Sequence, residues 1–272
     1  MSKNISRSLS LAHLTVLEAT PPELVTLAAD AGFDCVGLRI YANPSVGATP
    51  YNMLRDTSMI KETLSRLSDT GTSVLDIEFL RFEPDVFPRI PDQFLETGAM
   101  LKAKYILVMS ALPLEDETID NFSKLCERAK SFNLNVCLEN AVYTSVKTLT
   151  DAVHVVRKSG FTNASVLVDA LHFSRSGGCH THIKEFDSSM YRYAQICDAK
   201  EKIPTRKNEL IKEARTGRLW PGEGSLPLRE LIAALPSGIP LAIESPVHAS
   251  RKLPMKDRAQ KAYQSLTHLL ST

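Results

Sequence analysis

The chain has 272 residues, 43% hydrophobic and 23% charged, with a formal charge of +1 at pH 7. That composition fits one large globular domain or two small ones, and the near-zero charge with interleaved signs argues against a nucleic-acid surface or a polybasic membrane patch. Apolar runs stay well short of the roughly 20 residues of a membrane span, and the N-terminal MSKNISRSLS lacks the apolar centre of a signal peptide, so the expected location is the cytoplasm.

In chain order, short apolar runs alternate with longer amphipathic ones. LAHLTV (11–16) reads as a first strand. TPPELVTLAADAG then opens a helix with Thr20 and two prolines and closes it on Gly32. CVGLRI (35–40) is a second strand, the segment ending on Gly71 a second helix, and SVLDIEFL (73–80) and YILVMS (105–110) are strands three and four. DETIDNFSKLCERAKSF is helical, NVCLE (135–139) is strand five, and TSVKTLTDAVHVVRKSG is helical again. SVLVDA (165–170) and YAQICDA (193–199) are strands six and seven, followed by a long, charge-rich connection over 199–230. PLAIES (240–245) is strand eight, and KDRAQKAYQSLTHLL closes the chain as a helix.

Eight continuous apolar strands separated by helices imply a parallel sheet covered on both faces. Eight repeats over 1–272 fit a single (β/α)8 barrel, usually about 250 residues. A doubly wound open sheet is the rival, but no GxGxxG or GxxxxGK[ST] follows an early strand. Cys35, Cys126, Cys137, Cys179 and Cys197 show no CxxC spacing, and four lie in or beside apolar runs. They read as small buried hydrophobes rather than disulfides or a metal cluster.

Barrel active sites sit at the C-terminal ends of strands. Strands five to eight end in Glu139, Asp169, Gln195 and Glu244, so four consecutive strands deliver an oxygen-bearing side chain to one rim. Three ionised carboxylates brought together repel unless a cation sits among them. A divalent ion resolves this, and an all-oxygen set favours Mg²⁺ or Mn²⁺. The bland alternative is that strand-end carboxylates cap the next helix or pair with a loop arginine. Gln195 is the diagnostic position, because a buried amide needs a partner.

The order Glu139, DALH (Asp169, His172), Gln195 before Asp198, and Glu244 resembles the xylose isomerase-like TIM barrel superfamily, as do LVDALHFSRSGG and EARTGRLWPGEGSLPL. The similarity is strongest to sugar phosphate isomerases/epimerases, and Gln195 is shared with the 3-dehydroshikimate dehydratase branch where other branches carry histidine. The resemblance implies that Glu139, Asp169, Gln195 and Glu244 ligate one divalent metal and that His172 contacts a substrate oxygen. It further implies proton transfer by Glu139 and Glu244 at a metal-stabilised enediolate, giving an isomerase or epimerase of a sugar, sugar phosphate or sugar-derived keto acid. The alternatives are a dehydratase (lyase) of 3-dehydroshikimate or an inosose-like substrate, and a catalytically silent ligand-binding barrel. Endonuclease IV belongs to the same superfamily, but its several additional zinc-binding histidines have no convincing counterparts here.

Arg39, Glu78, Arg81 and Arg218 are the further substrate-binding candidates, and the arginines make an anionic group on the polyhydroxy carbonyl substrate plausible. Arg175 and Arg215 belong to the same basic set. His13, near the end of strand one, is a further substrate-binding candidate that could reach the site, set against the commoner role of a lone histidine on an apolar strand, a satisfied core residue. Asp198 is expected to support a ligand rather than be one. Trp220 and Glu223, in RLWPGEG, are placed over the pocket or in a plain return turn. No nucleic-acid or membrane partner is expected, and a homodimer is left open.

Overall fold

The computed structural model describes residues 7–41, 50–84, 92–113 and 115–271; part of the N-terminal segment read above for a leader lies outside them. Eight strands, all paired in parallel, close into a barrel in sequence order. They are β1 Leu9–Ala12, β2 Cys35–Arg39, β3 Ser73–Phe82, β4 Tyr105–Ser110, β5 Asn135–Glu139, β6 Ala164–Asp169, β7 Tyr191–Ile196 and β8 Leu241–Ile243. The main covering helices are α1 Pro21–Ala31, α2 Thr57–Thr70, α3 Asp92–Met100, α4 Glu115–Lys130 and α5 Leu149–Ser159. Beyond β6 come the short α6 Ala170–Arg175 and α7 His180–Ile183, then α8 Lys207–Thr216, α9 Leu228–Ala234 and the closing α10 Met255–Ser271.

Local chemistry starts and stops these elements where the pattern indicates. The Glu23 carboxylate accepts from Thr20 N at 2.7 Å at the head of α1, and Gly32 ends the helix at φ 103°, a conformation open to glycine. Asp56 accepts from Ser58 N and Met59 N, each at 3.0 Å, to cap α2. Thr148 and Asp151 form a reciprocal capping box on α5.

Besides small shifts at several strand ends, three differences from the expectation bear on the site. The first strand ends at Ala12, and His13–Val16 winds into a 3₁₀ turn. The buried His13 ring drives this: Nδ1 accepts from Arg39 N at 3.0 Å and Nε2 donates to Ala19 O at 2.8 Å, so the chain must fold back on itself. β3 runs on to Phe82, two residues past the expected end, which takes Arg81 into the strand. The 199–230 connection is no plain loop, since it contains α8 and the start of α9.

Two apolar layers hold the barrel. The larger lies between strands and helices and includes Val36, Ile77, Ile106, Val136, Val168, Ala194 and Ile243. Cys35, Leu75, Leu107, Cys137, Leu167, Tyr193 and Ala242 form a second, separate cluster within the barrel. Each fully buried aliphatic or aromatic side chain contributes about 1.5–3 kcal/mol. Four of the cysteines are buried as expected, and Cys179 is exposed; all five are free thiols. Among the described residues, no helix is long and apolar enough to cross a membrane.

Candidate active site

Side chains alternate along a strand, so the residue two positions after an inward one also points inward. Counting two onward from Cys137, Leu167, Tyr193 and Ala242 gives Glu139, Asp169, Gln195 and Glu244. The inner apolar cluster is thus the floor, and the four oxygen-bearing residues are the next layer. Asp169 is paired with Gln195 in the β6–β7 register, and Glu244 follows directly on β8. All four are buried, at most 5% exposed.

Among the described residues, the acidic, histidine and cysteine groups that come close enough to share an ion are Glu139, Asp169 and His172, whose ligand atoms lie within 4.8 Å of one another. His172 lies in the first turn of α6, which Asp169 caps: the His172 backbone N–H donates to Asp169 Oδ1 at 2.9 Å. Glu139 Oε1 and Gln195 Oε1 are both buried without a hydrogen-bond partner. The other end of the Gln195 amide donates to Glu244 Oε1 at 3.3 Å.

Arg218 sits in the middle of this arrangement. It projects from the segment after α8, is 2% exposed, and its guanidinium reaches Asp169 Oδ2 at 2.5 Å and Glu244 Oε2 at 2.9 Å. The same side chain donates to the main-chain oxygens of Glu244 at 3.2 Å and Ala214 at 2.9 Å. Asp169 therefore both caps a helix and pairs with an arginine, the two bland roles open to a strand-end carboxylate.

Asp198 explains how Arg218 is carried there. Its carboxylate accepts from the backbone N–H groups of Ala199, Gly222 and Leu226 at 2.8, 3.0 and 3.0 Å. Leu219 and Asp198 also bond main chain to main chain in both directions. Asp198 thus clamps the turn 219–226 onto the end of β7, supporting the site without being in the cluster. Trp220 is buried in the core, and Glu223 pairs with Lys261 on α10 at 2.7 Å, so neither lies over the cluster.

Electrostatics follow the burial. Burial, then the Asp169 and Glu244 charges, push Glu139 well above the usual carboxylate range. Burial raises Glu244 to about 7, with Glu78 and Asp169 adding to the rise and Arg218 opposing it. Burial also acts on Asp169, but Arg218, His172 and their hydrogen bonds outweigh it and hold that carboxyl below its ordinary value. Burial lowers His172 to about 4, so its imidazole is neutral at pH 7.

The other expected residues divide. Glu78 is buried on β3 and pairs with Arg39 Nε at 3.4 Å; Arg39 is 8% exposed and also lies over the Phe79 ring. Glu78 and Arg218 are near enough to influence each other's charge, which puts this pair beside the central cluster. Arg81 is not brought in: it pairs with Glu83 at 3.1 Å on a partly exposed edge. His13, buried and with both ring nitrogens engaged, is the core histidine of the blander reading. Arg175 forms a fork with Glu213 at 2.7 and 2.9 Å and braces α8, while Arg215 is exposed.

Two residues escaped the strand-end reading. Tyr143, in the turn after β5, places its hydroxyl 3.4 Å from His172 Nε2 and packs edge-on against that ring. Asp76, fully buried, accepts from Tyr193 OH at 3.0 Å and leaves its Oδ1 unpartnered. Its spacing of two from Glu78 on one strand was the available signal. Tyr143 carried none, because the register of a turn is not written in a period. A cavity of about 240 Å³ lies apart from these groups, lined by Thr15, Glu18, Pro246, Arg251 and Arg258 among others.

Several solved structures are similar to this chain. The IolI protein, solved with a bound zinc atom, has 18% identity and a TM-score of 0.80, the match covering 97% of this chain and 98% of that one. The probable 3-DHS dehydratase AsbF of Bacillus anthracis has 16% identity and a TM-score of 0.73 over 96% and 98%. A D-allulose 3-epimerase from Methylomonas sp., in complex with D-allulose, has 14% identity and a TM-score of 0.70 over 96% and 96%. At these identities the likeness is one of fold. No curated protein matches the chain by sequence. Residues 25–271 match the family described as xylose isomerase-like TIM barrel, and the chain belongs to that family.

Proposed function

We propose that the protein is a divalent-metal-dependent isomerase or epimerase acting on a polyhydroxy carbonyl compound, a sugar, sugar phosphate or sugar-derived keto acid. The observation that carries this reading is the pair of unpartnered buried oxygens, Glu139 Oε1 and Gln195 Oε1, in a layer that also contains Asp169, Glu244 and the neutral His172. Buried acceptors left without donors cost about 1–3 kcal/mol each, and a cation fits both. Glu139, Asp169, Gln195 and Glu244 are the residues proposed to hold it, and oxygen donors suit Mg²⁺ or Mn²⁺. When bound, the ion supplies Lewis-acid polarisation of a carbonyl and its neighbouring hydroxyl.

Glu139 and Glu244, on β5 and just past β8, are the proposed proton donor and acceptor, a role favoured by burial, which raises both carboxyls and brings Glu244 to about 7. His172 is the residue proposed to hydrogen-bond a substrate oxygen, a role supported by its neutral imidazole and its contact with Tyr143. The solved structures of similar fold include an epimerase with its sugar bound and a probable dehydratase, which supports the substrate class and keeps the reaction open between the two.

The second reading is a dehydratase acting on a dehydroshikimate- or inosose-like ring, favoured by the amide at Gln195. Both readings predict metal in the purified protein and its loss in Glu244→Gln; equal content in the two would refute them. Incubation with candidate ketoses in D₂O is expected to place deuterium at a carbon next to the carbonyl. Growth of enone or catechol absorbance with 3-dehydroshikimate would assign the dehydratase. No exchange with any such compound would leave a ligand-binding barrel.

A further inference from the structure

We infer that Arg218 is a built-in competitor for the metal: its guanidinium holds two of the proposed ligands and sets the affinity for a divalent ion well below what the carboxylates alone would give. The inference rests on the proposed metal site. Its own basis is the location of one fully buried positive charge. Arg218 spends one nitrogen on Asp169 at 2.5 Å and another on Glu244 at 2.9 Å, so it bridges the end of β6 to the residue just past β8, across the intervening β7. Asp169 already gives its other oxygen to the His172 backbone, so both of its oxygens are engaged. The acceptors without partners are on Glu139 and Gln195, the two proposed ligands that Arg218 does not hold.

The sign of the effect follows from charge. Glu139, Asp169 and Glu244 carry a formal −3 when ionised, and Arg218 reduces the set to −2. A divalent ion entering the cluster is attracted less strongly and is repelled by a cation bonded to two of its ligands. Little solvent screens this, because Arg218 is 2% exposed. The guanidinium does not leave by losing its proton, since an arginine side chain stays charged in proteins. In the ion-free protein the same contact offsets the repulsion between Asp169 and Glu244. Arg218 therefore stabilises the fold without the metal and weakens the metal's hold, an arrangement that makes the ion exchangeable.

The test is Mn²⁺ binding by titration calorimetry, with thermal melts, on the chelator-treated full-length protein, Arg218→Met and Arg218→Lys. Arg218→Met keeps an unbranched apolar stem but removes the charge and the guanidinium. It is expected to melt lower than wild type when chelated, to bind Mn²⁺ at least tenfold more tightly, and to gain more from added Mn²⁺ in the melt. Arg218→Lys retains the charge without the fork and is expected to bind with intermediate affinity. If Arg218→Met does not fold, Arg218→Lys decides alone. Affinity equal to or weaker than wild type in the variants overturns the inference, because Arg218 would then be orienting the ligands in the metal's favour. Absence of Mn²⁺ binding in all three proteins overturns it together with the metal site, and wild-type binding separates the two failures.

Discussion

Asp198→Ala is the substitution that most directly probes how the site is held. The carboxylate accepts three backbone N–H bonds, from Ala199, Gly222 and Leu226, at 2.8 to 3.0 Å, and Asp198 is 2% exposed. A hydrogen bond to a charged group contributes about 1.5–3 kcal/mol. The three share one acceptor and are not additive, and water reaches part of the turn once it loosens, so a loss of about 3–5 kcal/mol is expected. Gly224 sharpens the reasoning, since a Cβ there would lie 2.3 Å from Asp198 Oδ1; the turn is built around this carboxylate at van der Waals range. Chemical denaturation of the chelated protein measures the loss directly. Asp198→Asn, which keeps one acceptor oxygen, should lose roughly half as much. The turn also carries Arg218 to the cluster, so Asp198→Ala should lower turnover along with stability. A stability change under about 1 kcal/mol would refute the clamp.

Two further outcomes follow from groups the same structure buries. Burial, only partly offset by the bond to Ala19, lowers His13 from 6.5 to about 3, with the Arg39 charge adding to the fall. The unfolded chain therefore binds the extra proton first as pH falls, so this contribution is complete above pH 6.5 and is lost progressively down to about 3. By linkage it amounts to a loss of up to about 5 kcal/mol, read as a pH-dependent denaturation midpoint that flattens in His13→Gln; an unchanged slope in that variant refutes it. Gln195→Leu removes the unpartnered Oε1 along with a long 3.3 Å bond to Glu244. The metal-free protein should be within about 1 kcal/mol of wild type, while its gain in melting temperature on adding Mn²⁺ should largely vanish. A large loss in the chelated protein would make Gln195 a structural residue.

How legible the molecule was depends on which kind of information a feature needs. Strand and helix periods are local, and TPPELVTLAADAG, with its Thr20–Glu23 cap and closing Gly32, forms where the pattern placed it. The alternation that puts Glu139, Asp169, Gln195 and Glu244 on one inner layer is equally local, because each side chain's direction follows from its strand. The run LAHLTV misled because an apolar stretch reads the same whether it extends or turns; only the partners of His13, Arg39 and Ala19, decide. The helix α3 and the longer β3 show the same dependence on tertiary packing.

By itself, the sequence determined the eightfold strand–helix alternation, the inward acidic layer on the last four strands, and the buried character of its cysteines. These depend on side-chain size, polarity and period, which a chain carries wherever it goes. Tertiary structure alone decided which charge neutralises that layer. One cation was expected among the carboxylates, and an arginine from a segment 49 positions beyond Asp169 supplies part of it. Two other arginines of the same basic set, Arg215 and Arg175, look no different on paper, yet one stays exposed and the other braces a helix. A guanidinium's role is fixed by the low-dielectric space it is folded into and by the acceptors it finds there, and neither exists until the barrel has closed.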